Sequence, residues 1–276
     1  MTAAPILVTG TTGTTGSRVV AQLKALGRDV RSASRSAQGA GSVRFDWADP
    51  ETYGLAADGV DAAYLLAPIG VVDLLPAMRP FIDKLIERDG RLVFLSSSSL
   101  EAGGPLMGEV HAYLAENAPR WTVLRPSWFM QNFSGAHSAA IREEGAIYSA
   151  TGTGRVGFIS ADDIAAVAVR ALNDPDVPNG DLILTGPRAL SYDDVADIIG
   201  ATLGRTITHR HLTVEDLAAR HQAQGIPAAF SHMLAGLDAN IATGAEDRVT
   251  GEVERVTGRS PMAFARFAAA ARDAWD

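Results

Sequence analysis

Three glycines, Gly10, Gly13 and Gly16, stand three residues apart just after the apolar run Ile6-Leu7-Val8. Threonines fill the gaps, among them Thr12, Thr14 and Thr15. A glycine triplet between a strand and a helix does recognisable chemistry. The first glycine permits the tight turn, the second lets backbone approach a pyrophosphate, and the third lets the helix pack against the strand. The helix start then offers free N–H groups and the positive end of its dipole to the phosphates. Ser17 and Arg18 follow the last glycine, so the lysine of a mononucleotide P-loop is missing. The loop therefore predicts a dinucleotide site.

The second predicted strand ends Ser34-Arg35-Ser36. Readers of NAD place a carboxylate at this point, on the ribose 2′-hydroxyl. Here Ser34 and Arg35 suit a 2′-phosphate instead, so NADPH is the expected cofactor ahead of NADH. Asp46 and Trp47 follow the third predicted strand and could flank the adenine, or Asp46 could close its own loop.

These residues need a scaffold. Predicted strands at Asp29–Ser34, Val43–Phe45, Asp61–Leu66, Arg91–Ser96 and Trp121–Leu124 alternate with helical spacing such as Val19, Val20, Leu23 and Leu26. Alternation of this kind calls for an α/β fold, a Rossmann-type doubly wound parallel sheet. The second half is less regular. Capped helix starts at Ser160, Ser191 and Thr213, and a strand at Asp181–Thr185, predict a small C-terminal α/β lobe on the same domain. The boundaries expected are a core over about 1–135 and a substrate lobe over about 136–276. Ser260-Pro261 is expected to start a last helix striped by Phe264, Phe267, Ala268, Ala271 and Trp275, as core or as a dimer face.

Composition removes several classes. The chain has 276 residues, 47% hydrophobic and 20% charged, which is ordinary globular usage. A net charge of −8 disfavours nucleic acid and anionic membrane as partners. With no cysteine there is no disulfide, zinc thiolate or thiol nucleophile. The most apolar stretch, Gly59–Met78, is broken by Asp61, Pro68, Asp73 and Pro76, so no membrane span is expected. The start shows no signal peptide, and a cytoplasmic monomer or homodimer acting on a small molecule is the expectation.

A carbonyl reductase usually needs a proton donor, in many cases Tyr-x-x-x-Lys. The tyrosines are Tyr53, Tyr64, Tyr113, Tyr148 and Tyr192, and four residues after them stand Ala57, Pro68, Asn117, Gly152 and Ala196. No such dyad exists. Ser97, His111 and Tyr113 are the remaining candidate catalytic groups; for His111 a hydrogen-bonded helix position is the competing reading. His209-Arg-His211 places two imidazoles on one face of a strand, but no third ligand is evident and no metal site is expected.

The Gly10 loop, Ser96-Ser-Ser-Ser99, Gly108-Glu-Val-His-Ala-Tyr-Leu114 and Trp121-Thr-Val-Leu-Arg-Pro-Ser-Trp-Phe-Met-Gln-Asn-Phe133 resemble the NmrA-like atypical short-chain dehydrogenases. With Thr257-Gly-Arg-Ser-Pro261, the last two blocks are most similar to the branch of festuclavine dehydrogenase, of ergot-alkaloid synthesis, and its bacterial relatives. The resemblance implies an NADP-type Rossmann fold and, in several members, reduction of an iminium, quinone, azo or enone group. It also implies the alternative of a non-catalytic NADP(H)-binding regulator. By position it implies Ala67, Pro68, Ser96, Ser97, Pro126 and Trp128 at the cofactor. Ile69, Trp128, Phe129 and Phe133 would face the substrate, with plain core as the competing reading for the aromatic residues. An iminium carbon is already positive, and an enone or quinone can take its proton from water. The missing dyad is therefore compatible with a reductase of these groups.

Overall fold

The computed structural model describes residues 4–276. Among them the strands are β1 Ile6–Thr9, β2 Val30–Ser34, β3 Ser42–Arg44, β4 Ala62–Leu66, β5 Arg91–Leu95, β6 Arg120–Pro126, β7 Ala146–Ser149, β8 Arg155–Val156, β9 Gly180–Leu184, β10 Leu190–Ser191 and β11 Thr208–His211. The α-helices are α1 Gly16–Ala25, α2 Tyr53–Ala57, α3 Leu74–Ile86, α4 Met107–Asn117, α5 Gln131–Ser134, α6 Ser138–Glu144, α7 Ala161–Asn173, α8 Tyr192–Leu203, α9 Val214–Ala223, α10 Ala228–Ala242, α11 Glu252–Thr257 and α12 Phe264–Ala270.

Two compact units form. The first takes residues up to Pro126, then Ala161–Leu184 and Glu252–Arg259. Its sheet runs β3-β2-β1-β4-β5-β6-β9, and every neighbouring pair is parallel. The order reverses between β1 and β4, and in such sheets ligands bind at the carboxyl ends of the strands at that point. β1, β4 and β5 are almost wholly buried, which explains why they read as unbroken apolar runs. Burying each Leu, Ile or Phe there stabilises the fold by ~1.5–3 kcal/mol. On α7, Ile164, Val167, Ala168, Ala171 and Leu172 are buried as their spacing predicts, and so are Ala165, Ala166 and Val169.

The second unit takes Ser127–Ser160, Thr185–Gly251 and Ser260–Asp276. Its core gathers Phe133, Phe158, Tyr192, Phe264, Phe267 and Trp275. The Trp275 indole donates to the Phe133 carbonyl at 2.8 Å. The stripe of the last helix is thus core. The expected start at Ser260-Pro261 is corrected: α12 begins at Phe264, and a 3₁₀ turn, Arg272–Ala274, carries the chain to Trp275. The caps at Ser191 and Thr213 form as expected, with Asp194 N–H and Asp216 N–H donating to them at 3.1 Å each.

Asp238 of α10 is buried in this unit, with Ala150 N–H donating to its Oδ2 at 2.9 Å. Burial pushes its carboxyl up to about 6, against the pull of that N–H. The folded state therefore holds the proton more tightly than the unfolded chain. The stabilisation is full below about pH 4 and is lost as pH rises to about 6. Relative to Asp238→Asn, the native protein is expected to lose roughly 2 kcal/mol between these limits. Thermal melts of both proteins from pH 4 to 7 check this, and parallel pH profiles would refute it.

Candidate functional site

The site is built at the carboxyl edge of the parallel sheet in the first unit. β1 ends at Thr9, whose hydroxyl donates to the Tyr64 carbonyl at 3.1 Å and accepts from Leu66 N–H at 2.8 Å. That pair ties β1 to β4 and sets where the chain turns. Gly10 then takes φ 62°, which only glycine adopts without strain. Gly13 N–H closes the turn on the Gly10 carbonyl at 2.9 Å. A Cβ on Gly16 would lie 2.3 Å from the Gly10 carbonyl oxygen, so the helix can approach the strand this closely only with glycine there. A Cβ on Gly13 would meet that same oxygen at 3.2 Å and nothing else near it.

Gly10, Thr12, Gly13 and Thr14 are exposed, while Thr15 and Gly16 are buried. No side chain caps α1, and its first turn holds no acid. The positive end of the helix is thus left for an external anion. At the neighbouring strand end, Ser34 is half-buried and Arg35 is exposed. Among the described residues no ion pair engages Arg35.

Asp46 closes its own loop, its Oδ1 accepting Ala48 N–H at 3.0 Å. Trp47 is half-buried edge-on against Phe45 and Phe81. After β4, Ala67 and Pro68 are half-buried, and Ile69 is fully exposed at 101%. Val71 and Val72 extend that exposed apolar run. After β5, the Ser96 hydroxyl is buried without a hydrogen-bond partner. An orphaned hydroxyl at a strand end costs about 1–3 kcal/mol unless a ligand or water meets it. Ser97 Oγ lies 3.0 Å from Ser99 Oγ.

Sequence reasoning missed the residue that holds this serine turn. Arg125 is buried on β6, its side chain 5% exposed. Its guanidinium donates to Glu101 at 2.6 Å, Asp181 at 2.7 Å and the Ser98 carbonyl at 3.1 Å, with the Ser97 carbonyl at 3.5 Å. Burial lowers its pKa, but the two carboxylates win and hold it above the usual value. The signal was present: a lone Arg inside the apolar run Trp121-Thr-Val-Leu-Arg-Pro126.

The candidate proton donors fare differently. His111 lies inside the first unit, its ring 5.8 Å from Trp121 and its Nδ1 without a partner. Burial pulls its pKa below the usual histidine value. The Tyr113 hydroxyl donates to Asp83 of α3, and that bond, with burial, raises its pKa. Both groups are engaged in packing α4.

Pro126 is the last residue of β6, paired with Leu184, and the chain enters the second unit at Ser127. There Ser127 donates to Glu246 at 3.0 Å. Trp128 and Phe129 are half-buried. Phe133 has no exposed surface and is ringed by His137, Phe158, Tyr192 and Phe264, so in this structure it is core and presents nothing to a substrate.

Sheet order, glycine turn and uncapped helix together define a Rossmann-type dinucleotide-binding fold, and the relatives that follow make it that of an oxidoreductase. No protein-family model matches the chain. It is 46% identical to the uncharacterized oxidoreductase YesF of Bacillus subtilis, over 98% of this chain and 96% of that one. It is 41% identical to agroclavine dehydrogenase of Claviceps fusiformis, over 98% of both. Among solved structures, the NADPH complex of the NADPH-dependent quinone oxidoreductase QOR2 of Escherichia coli superposes with a TM-score of 0.83. That match is 21% identical and covers 96% of this chain and 99% of QOR2. The chain belongs to the NmrA-like atypical short-chain dehydrogenase/reductase family, in the branch of the agroclavine and festuclavine dehydrogenases.

Proposed function

We propose that the protein is an NADPH-dependent reductase acting on a small conjugated or aromatic acceptor: an iminium C=N, an enone C=C or a quinone. The observation that carries this reading is the open glycine cradle with an unpaired Arg35 beside it. The relative named as agroclavine dehydrogenase supports it, and the likeness to the NADPH complex of QOR2 supports the nucleotide-binding fold.

The residues present fit the cofactor. The glycine turn and the start of α1 would hold the pyrophosphate, and Ser34 and Arg35 would hold the 2′-phosphate. Ala67, Pro68 and the Ser96 hydroxyl, which is unsatisfied, would meet the nicotinamide end. Bound NADPH supplies the hydride. The chain supplies position and dryness, which is what this chemistry asks of it. His111 is buried and Tyr113 is bonded to Asp83, so neither is assigned as a proton donor. On chain position alone, Ile69, Trp128 and Phe129 are proposed acceptor contacts.

The test is NADPH oxidation by purified protein against a cyclic iminium, a quinone, an enone, an azo dye and an aldehyde, with NADH in parallel. Turnover of an acceptor other than the aldehyde, faster with NADPH, is expected. Turnover of the aldehyde alone would reveal a proton donor other than His111 and Tyr113. Tight NADPH binding with no oxidation would favour a nucleotide-binding sensor.

Arg35→Ala separates the two nucleotides. A charge-assisted bond to phosphate is worth ~1.5–3 kcal/mol. The KM for NADPH is therefore expected to rise about tenfold to a hundredfold, with that for NADH unchanged. Equal effects on both would remove Arg35 from the 2′-phosphate.

A further inference from the structure

Three side chains of the second unit converge on one point outside the glycine cradle. His209 and His211 share a face of β11. Asp193 stands in the first turn of α8. Its Oδ1 lies 3.2 Å from His209 Nδ1 and 3.4 Å from His211 Nε2. The three candidate ligand atoms all lie within 4.8 Å of one another, and the imidazole centroids are 4.0 Å apart. The sequence offered two imidazoles and no third ligand; the fold brings the third from a different element.

We infer that Asp193, His209 and His211 form a binding site for a divalent cation of the zinc class, with an open position for water. Metal–ligand lengths of ~2.0–2.1 Å in a tetrahedron separate the ligand atoms by about 3.3 Å. The two measured oxygen–nitrogen separations, 3.2 and 3.4 Å, match that edge. The remaining edge closes by side-chain rotation, since His211 and Asp193 are 49% and 50% exposed. Two imidazoles with one carboxylate suit zinc better than a hard cation.

The surroundings of His209 fit a ligand. Its side chain is fully buried, and its other nitrogen, Nε2, lies 2.7 Å from Ser149 Oγ. Ser149 Oγ lies 2.7 Å from Thr151 Oγ1, so it can pass its own proton to Thr151 and accept Nε2–H. That arrangement leaves the Nδ1 lone pair aimed at Asp193, and a cation between them turns repulsion into ligation. Holding the far ring nitrogen in this way is the usual support of a ligating imidazole. Without metal the protons run the other way: Ser149 donates to Nε2 and Nδ1–H donates to Asp193. Among the described residues β11 pairs only with β7, so an ion here would clamp an edge strand to α8.

The test uses untagged full-length protein titrated with Zn²⁺ against a chromophoric chelator, with thermal melts alongside. One equivalent is expected to bind, and Zn²⁺ is expected to raise the melting temperature. Losing a supporting group costs ~10–100-fold in metal affinity, so losing a ligand in His211→Ala is expected to cost about a hundredfold or more and abolish the melting shift. Asp193→Asn is expected to weaken binding likewise. His232→Ala, at an exposed histidine of α10, is expected to bind as the native protein does. Absence of stoichiometric binding, equal binding by His211→Ala, or loss in His232→Ala would each overturn the site.

Discussion

Gly13→Ala is expected to weaken NADPH binding at least tenfold while leaving the melting temperature within about 2 °C of the native value. Gly16→Ala is expected to lose both. The contrast follows from what each new methyl would meet. At Gly16 it would sit 2.3 Å from the Gly10 carbonyl oxygen and 2.8 Å from its carbon. These are backbone atoms that cannot step aside, so α1 must move away from β1. Overpacking of this kind costs about 1–3 kcal/mol, and it displaces the helix end that faces the phosphates. At Gly13 the methyl meets a single oxygen at 3.2 Å, a contact relieved by a few tenths of an ångström. The fold survives, but the methyl occupies the approach a pyrophosphate needs. Nucleotide fluorescence titration and thermal melts of both variants separate the effects. Native affinity in Gly13→Ala would show that the pyrophosphate does not lie on this residue.

The centre of the sheet was legible because β1, β4 and β5 are short, largely apolar runs bounded by turns. Thr9 is a telling exception to pure hydrophobic reading. It is buried, and it belongs in β1 because its hydroxyl bonds β4 backbone. The division of the second half was not legible. A lobe beginning near 136 was expected, whereas the second unit starts at Ser127 and the chain returns to the first unit at Ala161–Leu184 and Glu252–Arg259. Local periodicity reports which face of a helix is buried, not which sheet buries it. On α7 the additional buried positions, Ala165, Ala166 and Val169, include alanines that read equally as good helix formers. At the site, the glycine loop was legible because backbone does the binding, and backbone needs only glycine and position. The lone Arg125 in its apolar strand was a signal, but its partners and the Asp193–His209–His211 cluster were not legible, since they come from distant parts of the chain.

Arg125→Ala is expected to destabilise the protein by about 2–4 kcal/mol, which for a chain of this size lowers the melting temperature by roughly 5–15 °C. Removing one partner of a buried ion pair costs most when the other charge is trapped. Here Glu101 is 77% and Asp181 37% exposed, so both can rehydrate and the cost stays below the upper end of the range. What cannot rehydrate easily is the turn after β5, because Ser98 is buried and its carbonyl loses the guanidinium. The same turn carries the orphaned Ser96 hydroxyl, so loosening it is expected to raise the KM for NADPH as well. Arg125→Lys keeps the charge but cannot reach two carboxylates and two carbonyls from one ammonium. It is expected to recover part of the stability and little of the cofactor affinity. Full recovery of both by lysine would mean that charge alone holds the turn, and an unchanged melting temperature in Arg125→Ala would mean that Arg125 does not hold it at all.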